Sequence, residues 1–138
     1  MASRLNPYLV FEGDARQALE FYKEVFGGTL AVATYADLGG QSGTADADKI
    51  MHGMLETPSG FTLMCADTPP GEEYSRGNAY SISLSGEDEA ELRGYWEKLS
   101  AGGTVTVPIE KQMWGDVFGM CQDRFGTAWM VNISGQQG

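Results

Sequence analysis

The sequence predicts an α+β fold: tandem βαβββ modules that form a curved, half-open mixed sheet with a concave pocket. Three observations predict it. Two stretches, Asp14–Gly28 (DARQALEFYKEVFGG) and Ser85–Gly103 (SGEDEAELRGYWEKLSAGG), read as amphipathic helices that each stop at a glycine pair. Each follows a short apolar-polar run, and each precedes three further strand-like runs. The chain is thus one module written twice, and such a repeat governs the fold before any single element is judged. The 138 residues form one domain (1–138), with module one at about 5–67, a linker at about 68–78 and module two at about 79–134.

Tyr8 to Glu12 (YLVFE) opens module one as a short strand. Asp14 precedes the periodic run and is the expected N-cap, its carboxylate accepting the first free backbone N–H groups. Ala15, Leu19, Tyr22 and Phe26 define one helical face, which Ala18, Phe21 and Val25 widen, while Arg16, Gln17, Glu20, Lys23 and Glu24 take the other. Gly27–Gly28 end the helix, since glycine adopts positive φ without strain. Leu30 to Ala36 and Lys49 to Glu56 read as strands, separated by a Gly/Asp-rich loop at Asp37 to Asp48 that is expected to be mobile. Thr57-Pro58-Ser59-Gly60 turns the chain into a further strand, Phe61 to Ala66.

Asp67 to Asn78 is the Pro/Gly-rich linker, after which Ala79 to Leu84 repeats the first strand. Ser85 with Asp88 three residues on resembles a capping box. Ala90, Leu92, Tyr95, Trp96 and Leu99 supply the buried side of the second helix, and Gly102–Gly103 end it. Thr104 to Ile109 is a strand that Pro108 confines to an edge or terminates. Gly115 to Gln122 and Thr127 to Ile133 form a last hairpin across Asp123-Arg124-Phe125-Gly126, and Gly135 to Gly138 fray.

The formal charge of −10 excludes a phosphate-binding surface for nucleic acid or anionic membrane, which needs clustered Lys and Arg. No apolar leader and no long apolar span is read, so a cytoplasmic protein is expected, with Cys65 and Cys121 as reduced thiols. Neither a phosphate-cradling glycine motif nor a Gly-x-Ser-x-Gly elbow occurs.

Asn6-Pro7-Tyr8-Leu9 leading into Ala18-Leu19-Glu20-Phe21-Tyr22, then Met113-Trp114-Gly115 through Phe118-Gly119, then Asp123-Arg124-Phe125-Gly126 into Trp129-Met130-Val131-Asn132, resemble the vicinal-oxygen-chelate superfamily of glyoxalase I, ring-cleaving dioxygenases and bleomycin-resistance proteins. The closer resemblance is to the PhnB-like branch, often labelled 3-demethylubiquinone methyltransferase-like, and it spans nearly the whole chain. No nucleotide-binding glycine fingerprint of the methyltransferase kind accompanies it. Metal-dependent members hold a divalent ion through His and Glu on strands one, four, five and eight. Carried over, the resemblance puts those places near Pro7, Met64, Ser81 and Met130, none of which offers an imidazole or a carboxylate.

The resemblance therefore implies a small-molecule binding protein with a metal-free pocket and no cofactor, acting as a homodimer. The expected lining is Tyr8, Tyr35, His52, Met54, Met64, Trp114, Phe118 and Met130, with Trp114 as a stacking wall and methionines adapting to the ligand's shape. The acidic balance favours a neutral or cationic ligand. The alternative is a divalent-metal-dependent lyase, isomerase or dioxygenase that uses His52, the only histidine, with Glu56 on the same strand face or with Asp67. A fold that acts only through a protein partner is the third reading.

Overall fold

The structure, a computed structural model, describes residues 3, 5–37, 48–69, 72–75 and 77–135. The chain divides into two compact units, Met1–Gly77 and Asn78–Gly138. The first runs β1 (Tyr8–Phe11), α1 (Ala15–Phe26), β2 (Thr29–Thr34), β3 (Ile50–Glu56) and β4 (Thr62–Asp67). The second runs β5 (Ile82–Gly86), α2 (Glu89–Ser100), β6 (Thr104–Lys111), β7 (Val117–Gln122) and β8 (Ala128–Ile133). Their sheets have equivalent orders, β1-β4-β3-β2 and β5-β8-β7-β6, with one parallel pair in each (β1 with β4, β5 with β8). Two four-stranded mixed sheets, each with one helix, are the α+β tandem modules that the sequence predicts.

Every residue assigned to the apolar face of α1 is buried. In α2 only Leu92, Trp96 and Leu99 are buried; Ala90 is exposed and Tyr95 half-buried, so this helix shows its sheet a narrower stripe. Both helices lie close to their sheets because the strand beneath carries a glycine. A Cβ on Gly53 of β3 would overlap Leu19, and one on Gly119 of β7 would stand 2.9 Å from the Trp96 ring. Gly53 and Gly119 occupy equivalent places, three residues before Glu56 and Gln122, and those two residues explain the terminal glycine pairs. A Cβ on Gly28 would overlap the Glu56 carbonyl oxygen, and one on Gly103 the Gln122 carbonyl oxygen.

Several sequence expectations are corrected. Asp14 stands at the N-cap of α1, but its side chain caps nothing. The α1 entry is held instead by Asp67 at the end of β4, which is 1% exposed. Its Oδ1 accepts from the N–H groups of Gly13 (2.8 Å) and Ala15 (3.0 Å), and its Oδ2 from that of Ile50 (2.8 Å). Asp67 is therefore the last residue of a strand and a structural clamp, not the first residue of a linker. Ser85 remains within β5, and the cap of α2 is Asp88, which accepts from the Glu91 N–H at 3.1 Å. β5 begins at Ile82 and runs to Gly86 because its partners on β8 extend to Ile133. β6 continues through Pro108 to Lys111 as a sheet edge, and register irregularities between Val107 and Glu110 absorb the missing N–H. The Asp37–Asp48 loop falls almost wholly outside the described residues, as do Pro70, Gly71 and Arg76 of the linker and residues 136–138.

Candidate functional site

Each sheet has one face under its helix and one face free of it. Gly53, beneath Leu19, pairs with Cys65, and Leu55 pairs with Leu63; these lie on the helix side of the first sheet. Alternation sends His52, Met54 and Glu56 to the helix-free face. There Tyr8, Met64, Met54 and Ala31 form one cross-strand row. The Tyr8 and His52 rings lie 6.3 Å apart, tilted by 33°. Tyr8 is 52% exposed and His52 half-buried.

The second sheet repeats the arrangement. Gly119, under Trp96, pairs with Val131, and Cys121 pairs with Trp129. On the helix-free face Ser83, Met130, Met120 and Val107 form the row equivalent to Tyr8, Met64, Met54 and Ala31. A methionine pair thus sits at the same register of both units, Met54–Met64 and Met120–Met130. The next row carries Phe118 and Asn132. Trp114, in the β6–β7 turn, meets Phe118 edge-on with centroids 6.1 Å apart.

Of the expected lining, Tyr8, His52, Met54 and Met64 share the helix-free face of unit one, and Phe118 and Met130 share that of unit two, with Trp114 against Phe118. Tyr35 is apart from the Tyr8 row: it follows β2, and its hydroxyl donates to the Asp67 backbone carbonyl at 3.2 Å. Sequence reasoning missed Asp116 and Asn132. Asn132 Nδ2 donates to Asp116 Oδ2 (3.0 Å), and the Gly135 N–H donates to Oδ1 (2.8 Å). These bonds, Asn132 foremost, hold the Asp116 carboxyl below the usual carboxylate range. The signal was present in the alternation Met130-x-Asn132, which puts the amide beside the methionine. An open groove of ≈ 490 Å³ lies at the β3–β4 turn, lined by Leu5, Asn6, Glu56, Thr57, Gly60, Phe61 and Thr62. None of the expected lining residues borders it.

The residues do not fit a divalent metal of the kind the superfamily uses. The rows place Tyr8 beside Met64 and Ser83 beside Met130, one and two residues along from Pro7 and Ser81. Phenol, hydroxyl and thioethers are a poor set for a hard or borderline divalent ion. The His52 alternative fares no better. His52 and Glu56 are four residues apart on one strand, about 13 Å. Asp67 belongs to the helix side of its sheet, with both oxygens committed to backbone N–H groups. Among the described residues no group of three or more His, Cys, Asp or Glu could hold a metal ion.

Two βαβββ units with equivalent strand orders define a class of proteins built from tandem copies of one module. The model of the Glyoxalase/Bleomycin resistance protein/Dioxygenase superfamily matches residues 4–131, and the chain belongs to that superfamily. It is similar to protein PA1353 of Pseudomonas aeruginosa, with 37% identity, a TM-score of 0.83, and 98% of this chain and 100% of that one covered. A Bacillus cereus PhnB protein, described as a putative 3-demethylubiquinone-9 3-methyltransferase, shares the fold at 23% identity and a TM-score of 0.77, over 96% of this chain and 100% of its own. Protein YjdN of Escherichia coli is 25% identical over 143 residues, 96% of this chain and 97% of that protein.

Proposed function

We propose that the protein binds small organic molecules on the helix-free face of a sheet without a metal, and does so as a homodimer. The observation that carries this reading is the chemistry of the two equivalent rows. The resemblance puts the metal ligands of this superfamily near Pro7, Met64, Ser81 and Met130, and the adjacent helix-free rows offer Tyr8 with Met64 and Met54, and Ser83 with Met130 and Met120. Thioethers and aromatic rings make an adaptable apolar surface, and the hydroxyls supply orientation. Apolar side chains exposed on the first unit, among them Val10, Val32 and Met51, are available to a pairing surface.

The test is elemental analysis of protein purified without chelator or affinity metal, together with thermal shifts on adding Mn²⁺, Fe²⁺, Ni²⁺ and Zn²⁺ and on screening apolar and aromatic compounds. A ligand of the native state raises its stability by mass action. The expected result is no stoichiometric metal, no metal shift, and stabilisation by a subset of the compounds. A stoichiometric metal with a matching shift overturns the metal-free reading. Light scattering that finds pure monomer at micromolar concentration removes the dimer.

A further inference from the structure

We propose that the aromatic corner of the second unit, Trp114 against Phe118 between the carboxylates of Glu110 and Asp116, selects an organic cation with a flat apolar body. This inference deepens the ligand-binding reading and rests on it. Trp114 is 62% exposed although it is a large apolar side chain held in a defined turn. That turn is closed by the N–H of Gln112 on the Asp116 carbonyl (2.8 Å) and of Gly115 on the Gln112 carbonyl (3.0 Å). The Trp114 side chain also helps to hold the Asp116 carboxyl below its ordinary range, after Asn132 and Gly135. Asp116 is thus tied to Asn132 and Gly135, and the Trp114 ring stands exposed in the turn against Phe118.

Among the described residues of β6, β7 and the turn between them, the charges on the side of Phe118 are carboxylates. Glu110 pairs with Phe118 across β6 and β7, so both project from the helix-free face. Lys111, the nearest cation in sequence, pairs with Val117 and projects from the other face. Arg124 is engaged at the far end of the unit, where it donates to the Ala101 carbonyl at 3.3 Å. An aromatic face in a field of carboxylates attracts a cation twice, through the ring quadrupole and through Coulomb attraction. Asn132 adds a carbonyl oxygen in the same row, and Met120 and Met130 continue the apolar floor.

A matched bicyclic series tests the assignment: N-methylquinolinium as cation, 1-methylnaphthalene as neutral probe and 1-naphthoate as anion. Binding is followed on the indole N–H resonance that disappears in Trp114→Phe. The cation is expected to bind about tenfold more tightly than the neutral probe, and the anion more weakly than either. Glu110→Gln, and Asp116→Asn combined with it, are expected to bring that ratio of cation to neutral affinity to about twofold or less. Trp114→Ala, in which binding is followed on the Asn132 side-chain amide resonances because the indole is gone, is expected to weaken both. Equal affinity for cation and neutral probe overturns the inference and leaves the ligand-binding reading standing. A preference that survives removal of both carboxylates overturns it as well. If no probe moves the Trp114 resonance the corner is not a binding site, and the wider reading is then decided by the thermal-shift screen.

Discussion

One buried carboxylate holds each unit at a place where its sequence is least regular. Asp67 joins the start of α1 to the start of β3, and no local motif announces it because its partners lie up to 54 residues away. Asp123, 3% exposed, does the same for the last hairpin: Oδ1 accepts from Phe125 and Thr127, and Oδ2 from the Trp129 indole at 2.8 Å. This explains the Asp-Arg-Phe-Gly turn followed by tryptophan. Asp67→Ala strands buried donors and is expected to cost about 3 kcal/mol or more; Asp67→Asn, which turns a donor toward a donor at one oxygen, should cost less but remain well below wild type in urea melts. The same carboxylates act on the thiols. Burial, reinforced by Asp67, pushes Cys65 up to about 12, and burial with Asp123 pushes Cys121 up to about 11. Both thiols then resist iodoacetamide in the native state and react once the chain is unfolded. Because these values are raised on folding, the stability they confer is complete below the unfolded value of about 8.5 and is lost as pH rises toward the folded values. Asp116 has the opposite sign. Its contribution is present above about 3.9 and is lost as pH falls through its lower folded value, so the Asn132 side-chain amide resonances should hold position until that more acid range.

At the scale of elements, glycine placement separates steric need from conformational need. Gly28 has both: its φ is +111°, and a Cβ would overlap the Glu56 carbonyl. Gly115 has a φ of +100° with open space around it. Gly115→Ala is therefore expected to lower stability by about 1 kcal/mol from backbone strain alone, and Gly28→Ala by clearly more, the two being compared in the same denaturant melt. The helices and the glycine pairs were legible because local periodicity and chain reversal leave local marks. Element order was legible for the same reason, and because it occurs twice. What escaped was non-local. The α1 cap is supplied from β4, the start of β5 is set by the length of β8, and the passage of β6 through Pro108 depends on its being an edge. The glycines at the centres of β3 and β7 were in plain view, but their purpose lies in helices distant in sequence.

At the scale of the whole molecule, the candidate site was legible only as far as strand alternation reached. Alternation placed His52, Met54 and Glu56 on one face, and register then showed that His52 and Glu56 stand too far apart to act on one ion. Tyr35 stands apart from the Tyr8 row because it lies just beyond the regular part of β2, where alternation no longer governs direction. The formal charge of −10 belongs to no single element, yet it bears on every test above. Ion pairs such as Arg93–Glu89 (2.8 Å) are exposed, and pairs of that kind contribute little. The larger effect is self-repulsion of the compact state, which extends about 30 Å in 10 mM salt and about 10 Å in 100 mM. Raising NaCl from about 10 to about 200 mM should therefore increase the melting temperature, most steeply at the low end where the screening length changes most. The same screening should weaken a cationic ligand held at Glu110 and Asp116 and leave a neutral one unaffected. A melting temperature that falls with added salt would mean that attractive pairs outweigh the repulsion, and would remove the general field as a reason to expect a cationic ligand.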